Sequence, residues 1–113
     1  MLLMGALAGD IIGSRLEYSG LKQTDFDLFT SESSFTDDSI LTMAVADAIL
    51  NGLPYQKTIW DYANQHPHAD YGGLFREWMA SPNPQPYHSF GNGSAMRVSP
   101  VGWAFNDLDD VLI

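Results

Sequence analysis

The sequence contains no cysteine. That excludes disulfides, zinc–thiolate sites and a cysteine nucleophile. Basic residues are scarce, with 5 Lys and Arg against 14 Asp and Glu and a formal net charge of -9. So few cations leave no clustered patch for gripping a nucleic-acid backbone. Long apolar runs are missing too. The opening stretch, MLLMGALAGDIIGSRLE, is broken by Asp10 and lacks the basic start of a signal peptide. The expectation is a cytoplasmic protein with no nucleic-acid partner and no membrane partner. No segment alternates apolar and polar residues as a strand does, and no internal repeat is present.

What is present fits a helical domain. The 113 residues suit one domain with one modest core. Gly5, Gly9 and Gly13 recur at four-residue spacing and share one face of a helix. That spacing predicts a buried helix over residues 2–14, its glycines meeting another backbone closely. Residues 18–35 show no period and read as a long polar loop. The clearest helix follows. Ile40, Leu41, Ala44, Val45, Ala48 and Ile49 form its apolar stripe, Gly52 is a natural stop, and Pro54 opens the next helix at its first position.

Three shorter helical stretches come after it. YQKTIWDYANQ places Ile59, Tyr62 and Ala63 on one side and ends at His66-Pro67. GGLFREWMAS turns Leu74, Phe75, Trp78 and Met79 inward, and AMRVSPVGWAF is disturbed or restarted at Pro100. Between the last two, SPNPQPYHSFGNGS is loop by composition. NDLDDVLI begins with an Asn or Asp cap and opens a final helix.

Three places carry polar groups suited to chemistry. Thr36, Asp37 and Asp38 open the second long helix. Two readings stand: an N-cap with acidic residues favourable to the helix dipole, or oxygen ligands for a hard cation such as Mg²⁺. Asp10 lies in an apolar helix, where an unpaired carboxylate is costly, so it caps or hydrogen-bonds a neighbouring helix end. Glu17 follows at that helix's exit, where simple exposure accounts for it. Gly91, Asn92, Gly93 and Ser94 form either an ordinary glycine turn or a run of backbone N–H groups that binds phosphate, with Arg97 adding charge. His66, His68 and His88 stand in loops without zinc-site spacing.

Taken in order, GALAGDIIGSRLE, FTDDSILTMAVADAI and FGNGSAMRVSPVG closely resemble the ADP-ribosylglycohydrolase family. The resemblance implies an all-α orthogonal helical domain around a dinuclear Mg²⁺ or Mn²⁺ centre. It implies hydrolysis of the glycosidic bond joining ADP-ribose to a protein side chain or another acceptor. Thr36, Asp37 and Asp38 match the family's first metal-binding triplet. Asp10 matches the aspartate of its Gly-Asp pair. Glu17 matches a glutamate near the metals and the scissile bond, and the resemblance gives Glu17 and Asp37 catalytic roles. Gly91, Asn92, Gly93, Ser94, Met96 and Arg97 match the loop that holds ADP-ribose, to which Glu17 also contributes.

The family's second metal motif, an Asp-x-Asp-Thr-like run, has no counterpart. Asp107, Asp109 and Asp110 lie in a helix start without that motif's glycines and threonine. The expectation is that residues 1–113 form the N-terminal portion of a single family domain. It is truncated after the first several helices, holds an incomplete metal site, and lacks its C-terminal portion. Three outcomes follow. The chain is a hydrolase completed by a C-terminal chain, an inactive fragment that binds nucleotide, or a self-associating module with exposed apolar faces.

Overall fold

A computed structural model describes residues 3–112. Leu2, the expected start of the first helix, and Ile113, the end of NDLDDVLI, lie outside the described residues. Among the described residues the fold is all-α, with α1 Met4–Ser14, α2 Asp37–Asn51, α3 Tyr55–Gln65, α4 Gly73–Ala80, α5 Gly93–Met96, α6 Ser99–Ala104 and α7 Leu108–Leu112. None of these helices is long and apolar enough to cross a membrane.

Helix α2 is the centre. It packs against α1, α3, α5 and α6. Because neighbours surround it, burial runs from Ser39 to Ala48 with only Met43 exposed and Asp47 half-buried. Its small residues, Ala44, Ala46 and Ala48, let those neighbours approach. The helix stops at Gly52, whose left-handed backbone (φ 62°) returns its N–H to the Ala48 carbonyl.

Ile40 and Leu41 of α2 meet Ala63 of α3, Tyr71 of the following loop and Met79 of α4. Ile59, Tyr62, Phe75 and Trp78 pack around this cluster. Tyr71, Phe75 and Trp78 form a tilted aromatic row with centroids 5.1 and 5.2 Å apart. Pro100 lies at the start of α6, so the AMRVSPVGWAF stretch is two helices with a restart. Asp107 caps α7, its Oδ1 accepting from the Asp109 N–H at 2.8 Å.

Three expectations are corrected. Helix α1 forms but buries no residue. Among the described residues a Cβ built on Gly5, Gly9 or Gly13 would meet nothing within 4 Å, so none of their backbone closes on that face. Leu74 points outward and is 48% exposed, because the inward face of α4 is set by Phe75, Trp78 and Met79. Pro54 is the N-cap of α3, one position before its first helical residue.

Candidate functional site

The site is built on the junction of α1 and α2. Thr36 adopts an extended backbone and leads into α2, its Oγ1 accepting from the Asp38 N–H at 3.2 Å. The same hydroxyl donates to Asp10 Oδ1 at 2.6 Å, and the Thr36 N–H donates to Asp10 Oδ2 at 2.8 Å. Ser39 donates to that second oxygen from its hydroxyl at 2.6 Å and from its N–H at 3.3 Å. A carboxylate on α1 therefore satisfies orphan donors at the start of α2. This is how the apolar helix accommodates Asp10. Thr36 Oγ1 donates once and accepts once, which leaves it one lone pair.

Asp37 and Asp38 line an open depression of about 1410 Å³. Glu17 lines it from the turn that continues α1, where its N–H donates to the Gly13 carbonyl at 3.1 Å. Gly91, Asn92, Gly93, Ser94, Met96 and Arg97 line it from the segment that forms α5. Thr36 is not among the lining residues, since its hydroxyl is held by Asp10 and the α2 backbone. The Thr42 hydroxyl, buried in α2, donates to the Asp38 carbonyl at 2.6 Å and lies 3.5 Å from the Met96 carbonyl, where α5 meets α2.

The depression is strongly acidic. Burial pushes the Asp37 carboxyl up to about 6, helped by the neighbouring charge of Asp38 and, more weakly, by Asp10 and Asp70. Asp38 is raised by burial first and then by Asp10 and Glu17, while Arg97 pulls it back. Arg97 is itself lowered by burial, against the charges of Tyr87, Asp37 and Asp38. Its guanidinium lies over the Phe75 ring, 5.9 Å from the centroid. Among the described residues the one salt bridge, Lys57 to Asp61, is on α3 and neutralises none of this cluster.

Carboxylates raised by burial and by neighbouring negative charge fit a divalent cation, which reverses the penalty by binding. Hydroxyl and carboxylate oxygens are the donors a hard cation prefers. Among the described residues, however, no three His, Asp or Glu side chains converge closely enough to enclose a metal. The fit lies in the chemistry of the donors and covers one side of a coordination shell.

Asp70, Tyr18 and Ser39 join this region without any local signal in the sequence. Asp70 and Tyr18 line the depression, and the Tyr18 hydroxyl donates to Asp70 Oδ2 at 3.2 Å across 52 residues of chain. That hydrogen bond is the main reason the Tyr18 pKa is raised. Ser39 lies one residue beyond the Thr-Asp-Asp run, at a position that reads as helix body. His66 and His68 are exposed and lie outside the depression, and exposed His88 is at its edge.

No curated protein and no solved structure matches the chain. The family model described as ADP-ribosylglycohydrolase matches residues 1–113. With the all-helical fold and three ordered motifs around one acidic depression, that match assigns the family: the chain belongs to the ADP-ribosylglycohydrolases.

Proposed function

We propose that this chain carries the cation and ADP-ribose half-site for hydrolysis of an ADP-ribosyl glycosidic bond. The observation that supports it is the shared depression. Residues far apart in sequence, Glu17, Asp37, Asp38 and the Gly91–Arg97 segment, border the same space. Asp37 and Asp38 would hold Mg²⁺ or Mn²⁺, Thr36 serving as the cap that sets their position, with the other side of the cation left to water and to further ligands. A cation there would supply Lewis-acid polarisation of the substrate's oxygens.

The chain's own residues do the rest. Glycosidic cleavage passes through an oxocarbenium-like state, which nearby negative charge stabilises. Asp37, Asp38 and Glu17 supply that charge. Glu17 is exposed to the depression, so its carboxylate is free to orient a ribose hydroxyl or to take a proton from an attacking water. The Gly91 N–H is taken by the Ser89 hydroxyl at 3.0 Å, so the N–H groups of Asn92–Ser94 and the Arg97 guanidinium would receive the diphosphate.

A second reading is nucleotide binding without turnover. The absence of three converging acidic side chains among the described residues favours it. One paired experiment separates the two. Calorimetry with Mn²⁺ and ADP-ribose reads binding, and release of ADP-ribose from a modified protein reads turnover. Binding with release supports the hydrolase, and binding without release supports the second reading. No binding of either ligand overturns both.

A further inference from the structure

The chain contains two Asn-Gly dipeptides, Asn51-Gly52 and Asn92-Gly93. Asparagine before glycine is chemically labile, because a residue without a Cβ leaves its nitrogen open to approach. The glycine nitrogen attacks the asparagine side-chain carbonyl carbon, a succinimide ring closes, and the side-chain nitrogen leaves as ammonia. Water then opens the ring at either carbonyl and gives aspartate or isoaspartate. One water is consumed and one ammonia released, with no oxidant or cofactor. The reaction requires a mobile side chain and a backbone N–H free of its acceptor.

Asn51 meets neither requirement. Its Nδ2 donates to Asp47 Oδ1 at 2.5 Å, and the Gly52 N–H is held by the Ala48 carbonyl. Asn92 meets both. It is exposed and its side chain makes no capping hydrogen bond. Gly93 is the first residue of α5, where an N–H has no acceptor within the helix. A Cβ built on Gly93 would lie 3.7 Å from Arg97 Nη1, so a guanidinium stands beside the dipeptide. Positive charge there favours the nitrogen anion that attacks, and then attracts the carboxylate that forms.

We propose that Asn92 is a self-modification site whose conversion to aspartate or isoaspartate disables the anion-holding loop. The new carboxylate gives Arg97 an internal partner and repels an incoming phosphate. Isoaspartate also adds a methylene to the backbone and displaces the loop's N–H groups. The conversion needs only the geometry of the two dipeptides; its effect on ligand rests on the diphosphate reading of Asn92–Ser94 and Arg97.

The test ages the purified full chain in mildly alkaline buffer and maps its peptides by mass over time. Conversion at Asn92 is expected to run severalfold ahead of Asn51, the gap closing when the chain is aged in denaturing urea. Gly93→Ala is expected to slow it. Equal rates in the folded chain, or a faster Asn51, overturn the site. Calorimetry with ADP-ribose then compares fresh and aged protein. Aged wild type is expected to lose affinity severalfold, whereas wild type kept for the same time in cold, mildly acidic buffer, which suppresses succinimide formation, is expected to keep it. If fresh wild type binds and converted wild type binds equally well, the loss of function is overturned. If fresh wild type does not bind, the diphosphate reading fails while the mass result still decides the modification.

Discussion

Asp10 lies in α1 and Thr36 caps α2, 26 residues further on, yet the Asp10 carboxylate accepts both the Thr36 hydroxyl at 2.6 Å and the Thr36 N–H at 2.8 Å. Ser39 adds two donors to the same carboxylate. This contact fixes where α2 begins, and so where Asp37 and Asp38 stand. Asp10→Asn removes the charge and turns one acceptor into a donor facing donors. Hydrogen bonds to a charged group contribute roughly 1.5–3 kcal/mol, so a loss of that order is expected in urea unfolding. Cation affinity should fall with it. A variant as stable as wild type would show that α2 does not depend on this cap.

Gly52 is expected to resist substitution for a backbone reason alone. Its φ is 62°, and a Cβ placed there would touch nothing within 4 Å. The cost of Gly52→Ala is then the left-handed conformation itself, about 1–2 kcal/mol. Gly52→Asn should cost less, since asparagine tolerates that region. Denaturant titration of the two variants checks both the size and the order.

These two contacts differ in how far the sequence reveals them. Gly52 announces itself by following a periodic apolar run, because a helix stop is local. Pro100 and Asp107 are legible for the same reason. The capping role of Asp10 follows from one argument: a carboxylate in an apolar helix needs donors. Its actual donors, Thr36 and Ser39, come from a loop's length away. The Tyr18–Asp70 pair spans still more chain and has no local pattern at all. Glycine spacing in α1 reports that a face is flat; the structure leaves that face lining an open depression rather than against a backbone. Leu74 reads as inward by its type, but Phe75, Trp78 and Met79 set the inner face of α4 and leave it 48% exposed. Thr36, Asp37 and Asp38 are split by the fold, the threonine to the cap and the two acids to the depression.

Asp37 should show a trade between stability and binding. Burial and the charge of Asp38 make its ionised form unfavourable in the folded, cation-free chain. Asp37→Asn removes that cost, and the melting temperature of the cation-free chain is expected to rise at neutral pH. Mn²⁺ affinity is expected to fall, because a charged oxygen ligand is lost. Asp38→Asn should behave in the same direction. Thermal melting with and without Mn²⁺ reads both effects. A purely capping role would instead lower stability and leave cation affinity alone, since acidic residues in the first turn favour the helix.

The pH dependence isolates the same group. Asp37 is raised from an ordinary 3.8 to about 6 in the folded chain. The folded state therefore holds this proton more tightly than the unfolded state. Its stabilising contribution is full below the unfolded value and is lost as pH rises through about 6. The stability advantage of Asp37→Asn over wild type should accordingly appear as pH climbs to that point, level off above it, and vanish in acid. Cation binding reverses the sense for wild type. Protons and the cation compete for the carboxylate, so Mn²⁺ affinity should rise with pH up to about 6 and then flatten, with protons released on binding below that point. Calorimetry in two buffers of different ionisation enthalpy counts those protons. An affinity that stays constant across this range would remove Asp37 from the cation site.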